Sequence, residues 1–213
     1  MIFENIRNSI HNKIIDILIK STERMINDKE IIDNKENAIR DILYEKYLNN
    51  NNIRKQIENN NFIFDIESPE NFDNSSKKYI GRVDIKVLSI NTFNDTSDYY
   101  IIECKRIDGT NILNKKYIDE GISRFVVEPI KYKTKTNRNI MFGFIVKDIN
   151  ISENTIKIKN IHSTNEYIKN NISEDFIEEK KHENIYSIYR TSYYEHNIKL
   201  FHIFYNISKI IIE

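Results

Sequence analysis

Apolar residues recur along this chain with two periods, and together they predict a mixture of helices and strands. Between residues 3 and 28 they lie three or four positions apart, which predicts an amphipathic helix. Further helices are predicted from about Asn34 to Leu48 and over Leu113–Val127, which Pro129 closes. Alternating or continuous apolar runs predict strands at Phe62–Glu67, Ile80–Ile90, Tyr99–Lys105, Asn139–Val146, Ile185–Tyr194 and Leu200–Tyr205.

Other segments have weaker patterns. We expect Ser68-Pro69-Glu70 to end the first strand and Asn91–Asp98 to be a polar connection of hairpin length. Ile149–Ile161 alternates and predicts a further strand or hairpin, Asn165–Asn171 predicts a helix, and Ser173–Glu183 is acidic and expected to be exposed. The order of elements predicts an α/β fold with a central mixed sheet flanked by helices.

Two strands joined by the Asn91–Asp98 connection carry the residues best suited to chemistry. Asp84 lies on the first, while Glu103 and Lys105 end the second. Because side chains alternate along a strand, Glu103 and Lys105 are expected on one face and Cys104 on the other, as a core thiol. If the strands pair, Asp84 lies beside Glu103, and two carboxylates and a lysine converge where the strands separate.

Such a cluster suits a hard divalent cation. Mg²⁺ prefers oxygen ligands and is often held by one or two carboxylates, so Asp84, Glu103 and the Cys104 carbonyl are the predicted ligands, with Mn²⁺ as a substitute. A bound ion lowers the pKa of a water, and Lys105 would orient or deprotonate that water or stabilise the transition state. The simpler explanation is an exposed Asp-Ile-Lys and an ion-paired Glu-x-Lys, which are common on strands.

Glu36 has two interpretations that the sequence leaves open. It lies four residues before Arg40 at a helix start, which suits a helical ion pair. Alternatively it lies over the sheet as a further contact to the metal or its water.

The charge balance is neutral overall but locally uneven. The 213 residues carry 32 basic and 32 acidic side chains, which excludes a uniformly basic surface. From Asn114 to Arg138, however, seven Lys or Arg face three acids, a net of +4. Phosphate contacts are the functional interpretation of this region and a solvated loop the simpler one. The candidate contacts are Lys115, Lys116, Arg124, Lys131 and Lys133.

Composition narrows the class further. One cysteine permits no internal disulfide, which fits a reducing cytoplasm, and no apolar run approaches membrane-spanning length. With four glycines, Gly-rich phosphate loops and dinucleotide fingerprints are not expected. His162, His182, His196 and His202 lack paired zinc spacing, and His202 is best explained as a satisfied buried histidine.

Between Asn34 and Val146 the chain resembles the PD-(D/E)XK nuclease superfamily, which has the restriction-endonuclease-like fold. Gly81-Arg-Val-Asp84 and Ile102-Glu103-Cys104-Lys105 match its acid, variable gap, acid-x-lysine motif, with Val83 in place of the usual proline. The resemblance implies an α/β/α core over residues 34–146 of a single domain. Residues 147–213 would extend the sheet or form a small subdomain.

The resemblance also implies roles. Asp84 and Glu103 would bind Mg²⁺, Lys105 would assist the water, and Glu36 would complete the site. Among the polar residues Tyr117, Glu120 and Arg124 of the next helix, Arg124 is the preferred phosphate contact. The implied function is a nuclease, an endonuclease rather than an exonuclease, acting on DNA rather than RNA in bacterial or phage restriction or defence. A homodimer or a partner subunit of a defence complex is compatible, and the alternative is a nuclease-fold binding or assembly subunit.

Overall fold

The computed structural model describes residues 2–212 and shows two helical layers around a mixed sheet. The first layer contains α1 and α2, and α2 continues directly into a π-helical segment. The second layer contains α7 and one continuous helical run. In that run a π-helical segment joins α5 to α6. The helices are α1 (Ile2–Asn27), α2 (Glu36–Ile42) with its π-helical extension (Leu43–Leu48), α3 (Asn51–Gln56), α4 (Ile90–Asn94), α5 (Asn111–Lys116), the π-helical segment (Tyr117–Ile122), α6 (Ser123–Val126) and α7 (Ile151–Thr164).

Seven strands form the main sheet in the order β2-β3-β4-β5-β8-β7-β6. The central strands β4, β5 and β8 are parallel, and an antiparallel pair completes each side. A short parallel pair, β1 with β9, lies outside it. The strands are β1 (Ile32–Asp33), β2 (Ile63–Asp73), β3 (Lys78–Leu88), β4 (Tyr100–Ile107), β5 (Arg138–Ile145), β6 (Ile172–His182), β7 (Tyr186–Tyr193), β8 (Lys199–Asn206) and β9 (Ile211–Ile212).

The sheet separates two hydrophobic cores. Ile140, Phe142 and Phe144 of β5 pack in the core of α1 and α2, whereas Met141 and Ile145 pack in the core of the α5–α6 helix and α7. This strand is buried on both faces and lies in the middle of the sheet, as its continuous apolar run predicts. The mixed α/β architecture with a helix-flanked mixed sheet is confirmed.

One strand prediction on the first hairpin, which β2 and β3 form, needs correction. Ser68-Pro69-Glu70 does not end β2, which continues to Asp73. Pro69 is tolerated because β2 is an edge strand of the sheet that residues 2–212 form. The polar connection predicted at Asn91–Asp98 joins β3 to β4 and includes most of α4, whose start is capped by Ser89 and Thr92.

The prediction of a strand or hairpin over Ile149–Ile161 is wrong, because α7 covers most of it. Asn150 caps this helix by accepting a hydrogen bond from the Glu153 backbone. Its buried positions Ile151, Thr155, Ile158 and His162 follow helical spacing, which the local isoleucine alternation obscures. The predicted helix at Asn165–Asn171 is a single 3-10 turn, Lys169–Asn171, and the exposed acidic segment at Ser173–Glu183 is largely the edge strand β6.

Candidate active site

The candidate site lies where β3 and β4 separate. The two strands pair from Val87 with Tyr100 to Ile85 with Ile102, and the next opposing residues are Asp84 and Glu103. There Asp84 accepts a 2.7 Å hydrogen bond from the Cys104 backbone N–H through its carboxylate. The Asp84 carboxylate therefore accepts a β4 backbone N–H at the point where the backbone pairing of β3 and β4 ends, and this bond holds it beside Glu103.

Lys105 is the centre of the cluster. Its Nζ lies 2.7 Å from Glu103 Oε1, 3.0 Å from Glu36 Oε1 and 2.8 Å from the Cys104 carbonyl oxygen. The Lys105 side chain is only 6% exposed and that of Glu103 is fully buried. The ammonium group thus contacts three of the oxygens that the sequence predicts as ligands or neighbours of a metal ion.

Glu103 is surrounded by donors. The Tyr132 hydroxyl donates a short hydrogen bond to its Oε2, and Arg124 Nε lies 3.3 Å from its Oε1. The Arg124 contact is an ion pair without hydrogen-bond geometry, so this buried Nε has no hydrogen-bond partner among residues 2–212. Burial, together with the charge of Asp84, raises the pKa of Glu103 to about 7.

The protonation state of Lys105 follows from its neighbours. Burial disfavours its charged form, but the charges of Glu103, Glu36 and Asp84 outweigh this effect and raise the pKa of Lys105. Lys105 therefore remains an ammonium group at neutral pH in this arrangement. It is suited to electrostatic stabilisation rather than to removing a proton from water.

The helical ion pair between Glu36 and Arg40 is not found. Arg40 is buried and pairs with Asp41, Asp84 and Glu67, the Asp84 contact being 3.2 Å. Glu36 instead reaches Lys105 with one oxygen and accepts the Arg106 backbone N–H with the other. The structure therefore places Glu36 over the sheet, as the second interpretation expects, and its role with a metal stays a prediction.

The α5–α6 helix approaches β4 closely at Gly121. A Cβ there would lie 3.5 Å from Lys105 Cγ and 2.5 Å from the flexible end of Met141. The aliphatic stem of Lys105 therefore runs beneath the helix at van der Waals distance, and the close approach that a Cβ would make is to Met141. One turn later Arg124 reaches Glu103.

The predicted basic contacts divide into two groups. Arg124 lies in the cluster, and Lys131 and Lys133 are exposed in the loop on either side of Tyr132. Lys115 and Lys116 are exposed on α5, where Lys115 lines a separate cleft with Asp119 and Tyr167. The structure therefore does not bring Lys115 or Lys116 to the cluster.

Sequence reasoning missed three participants, Tyr132, Arg40 and Glu67. Tyr132 is an aromatic residue between two lysines in the basic loop, a pattern that could have indicated it. The Arg82 backbone carbonyl oxygen lies 2.8 Å from the Tyr132 hydroxyl oxygen, and the Arg82 guanidinium pairs with Glu67. These contacts connect the loop, the first hairpin and α2 around Asp84.

Cys104 and the histidines lie outside the chemistry. The Cys104 side chain is buried in the α1–α2 core, where burial raises the pKa of its thiol. His202 is a satisfied buried histidine, as predicted, with the Tyr117 hydroxyl and Thr191 each 2.9 Å from one ring nitrogen. His162 is also buried and contacts Asp175 and Tyr193.

The candidate metal ligands of the site are carboxylate and carbonyl oxygens, which are the ligand type that a hard divalent cation prefers. In the described part of the chain, however, no three His, Cys, Asp or Glu side chains are arranged as a metal-binding group. Lys105 contacts the carboxylates of Glu36 and Glu103, and Arg40 contacts that of Asp84.

Comparisons with protein-family models, curated proteins and solved structures found no significant match. No helix within residues 2–212 has both the length and the apolar character needed to cross a bilayer.

Proposed function

We propose that this protein is a Mg²⁺-dependent nuclease with a PD-(D/E)XK site on a restriction-endonuclease-like core. One observation carries the proposal: the Lys105 ammonium is held on Glu103, Glu36 and the Cys104 carbonyl, beside Asp84, where two strands separate. A motif that is weak in sequence therefore forms one compact cluster drawn from three separate elements.

The residues have distinct proposed roles. Asp84, Glu103 and the Cys104 carbonyl would hold Mg²⁺, or Mn²⁺ in its place, and Glu36 would complete the site. When bound, the ion would activate a water and neutralise charge on the scissile phosphate. Lys105 and Arg124 would supply positive charge for the phosphate.

Metal binding and the observed Lys105 contacts compete for the same oxygens. Lys105 Nζ must leave Glu103 Oε1 and Glu36 Oε1 before those atoms coordinate a cation. We infer that Lys105 then turns its charge toward the substrate. Its ammonium group would then stabilise charge on the phosphorane-like transition state.

The biological setting is proposed by analogy with the resembled superfamily. We propose DNA as the preferred substrate, endonucleolytic cleavage, and a cytoplasmic role in restriction or antiviral defence, as a homodimer or with a partner subunit.

Cleavage tests the proposal. Purified protein is incubated with supercoiled, linear and single-stranded DNA and with RNA, in Mg²⁺, Mn²⁺ or EDTA. We expect cleavage in Mg²⁺ or Mn²⁺ and none in EDTA. Cleavage that persists in Asp84→Ala or Lys105→Ala would overturn the assignment of the site.

The alternative is a nuclease-fold subunit that binds or assembles without cleaving. It is favoured by the internal satisfaction of the carboxylates, since Glu103 contacts Lys105, Arg124 and Tyr132, and Asp84 contacts Arg40. Nucleic-acid binding that is unchanged by Mg²⁺, with no cleavage of any substrate, would select this alternative.

A further inference from the structure

The first hairpin extends well beyond its neighbour in the sheet. β4 pairs with β3 only at Ile85–Val87, whereas the pairing of β2 with β3 continues to Asp73 opposite Lys78. Residues 68–83 therefore form a two-stranded arm that projects past the point where Asp84 and Glu103 lie.

The arm carries an exposed aromatic pair. Phe72 and Tyr79 lie directly opposite each other, with ring centroids 5.1 Å apart in an edge-to-face arrangement. They remain 45% and 57% exposed. Cross-strand packing explains their contact with each other, but it leaves much of both rings facing solvent. Such rings are suitable platforms for stacking with nucleic-acid bases.

The arm is attached to the basic loop of residues 127–137. The Asn71 side chain donates a 2.7 Å hydrogen bond to the Ile130 carbonyl, and a Cβ on Gly81 would lie 2.6 Å from the Lys131 carbonyl oxygen. Because side chains alternate along a strand, Tyr79 points to the same side as Gly81. The aromatic pair is therefore on the side of the arm that faces this loop.

Four exposed lysines lie on the arm and the basic loop, while the acids of the arm are Glu70, which is buried, and Asp73. Lys77, Lys78, Lys131 and Lys133 are exposed, and none forms an ion pair with another residue of the described range 2–212. The acids of the arm are already engaged. Glu70 contacts Tyr99 and Lys86, and Asp73 accepts from Ser75 and Ser76. The arrangement is complementary to a polyanion that carries aromatic groups.

A groove of about 390 Å³ runs along the basic loop, from Asn71 of the arm to Tyr132. Lys133 and Lys135 line it, together with one acid, Glu128. Asn71 is adjacent to Phe72, while the Tyr132 hydroxyl donates to Glu103. Tyr79 precedes Asp84 by five residues, or about 17 Å of strand, which corresponds to about five stacked nucleotides.

We propose that the arm and groove bind a single-stranded stretch of nucleic acid, with bases on Phe72 and Tyr79 and phosphates at Lys131 and Lys133. The inference rests on the proposed function and deepens it, because it assigns unpaired nucleic acid as the substrate class. Every base has a π-face that can stack on an aromatic ring, so we expect little sequence preference from this surface.

Fluorescence anisotropy in EDTA tests the proposal without requiring cleavage. The probes are a labelled 15-nucleotide DNA strand, the same RNA strand and a blunt DNA duplex. We expect tighter binding of single strands than of the duplex. The Phe72→Leu/Tyr79→Leu double variant keeps apolar packing across the hairpin but removes the rings. Its single-strand affinity should fall at least tenfold, within the range of measured base stacking.

Phe93→Leu is the matched control, since Phe93 is 83% exposed on α4, away from the arm. It should bind as the unmodified protein does, and circular dichroism should show all variants folded. Unchanged affinity in the double variant would overturn the proposal, as would binding of the duplex alone. Absence of cleavage together with ring-dependent binding would overturn the nuclease assignment but support the binding surface. Comparison of the DNA and RNA strands identifies the preferred polymer.

Discussion

Replacing Lys105 by Met tests how far one buried cation holds the carboxylate cluster together. Lys105 contacts Glu103 at 2.7 Å and Glu36 at 3.0 Å, and its side chain is 6% exposed. Met has similar length and no charge, so the substitution leaves the packing beneath Gly121 nearly unchanged. Glu103 then keeps Tyr132 and Arg124 but loses its closest cation.

The expected destabilisation follows from the burial of the pair. Each contact is worth roughly 6 kcal/mol in Coulomb energy at an effective dielectric of about 20, most of which offsets desolvation. Removing one partner of a buried pair costs about 3–5 kcal/mol. For a chain of 213 residues that corresponds to a fall in Tm on the order of 10 °C.

Urea unfolding in EDTA measures the stability lost on substitution, and urea unfolding in Mg²⁺ measures the stability gained from the metal ion. Because Lys105 occupies the oxygens proposed for the metal, Lys105→Met should be less stable in EDTA but gain more stability from Mg²⁺ than the unmodified protein, by about 1–3 kcal/mol. Lys115→Met, on the exposed face of α5, should change stability by less than about 0.5 kcal/mol. The reasoning is refuted if Lys105→Met unfolds at the same urea concentration as the unmodified protein, or if Mg²⁺ stabilises it less.

Three further predictions concern residues around the site and in the core. Gly81→Ala places a Cβ 2.6 Å from the Lys131 backbone carbonyl oxygen and should lower the free energy of unfolding in urea by about 1–3 kcal/mol. Gly121→Ala places a Cβ close only to the flexible end of Met141, so its loss of stability should be smaller. Tyr132→Phe removes a hydrogen-bond donor to Glu103, so the pKa of Glu103 in a ¹³C NMR titration should rise. The free energy of unfolding should fall by about 1–3 kcal/mol. An unchanged pKa would contradict the hydrogen bond. Burial, reinforced by the charge of Arg138, lowers the pKa of His11 to about 3. A lowered histidine pKa gives stability that is fully present above about pH 6.5 and is lost as the pH falls toward 3, by on the order of 4 kcal/mol. His11→Phe should abolish this part of the pH dependence of urea unfolding, and an equally steep loss in the variant would contradict the assignment.

The central part of the fold was predictable because its signals are local and strong. β5 is a continuous apolar run between Arg138 and Ile145, and β4 and β8 are similar. α7 was missed because isoleucines at 156 and 158 imitate strand alternation, and only the Asn150 cap signals a helix. The extent of β2 was missed because Pro69 normally stops a strand, and its edge position is a property of the whole sheet.

The candidate site was predictable only in part. Asp84, Glu103 and Lys105 lie on strands whose pairing follows from the sequence pattern, so their proximity could be foreseen. Tyr132 reaches Glu103 from a loop, across 29 positions in sequence. Arg40 pairs with Asp84 across 44 positions, where helical spacing had suggested Glu36 as its partner. Such contacts depend on how the layers pack, which no local pattern specifies.

The most direct test of the nuclease site is the cleavage rate of the Asp84→Asn variant in Mg²⁺. Asparagine has nearly the same shape as aspartate, and its side-chain oxygen can still accept the Cys104 N–H, so the fold and nucleic-acid binding should be retained. We predict Mg²⁺-dependent cleavage of nucleic acid by the unmodified protein and a loss of at least about 100-fold in rate in the variant. Equal cleavage rates in the two proteins would contradict the assignment of Asp84 to the catalytic site.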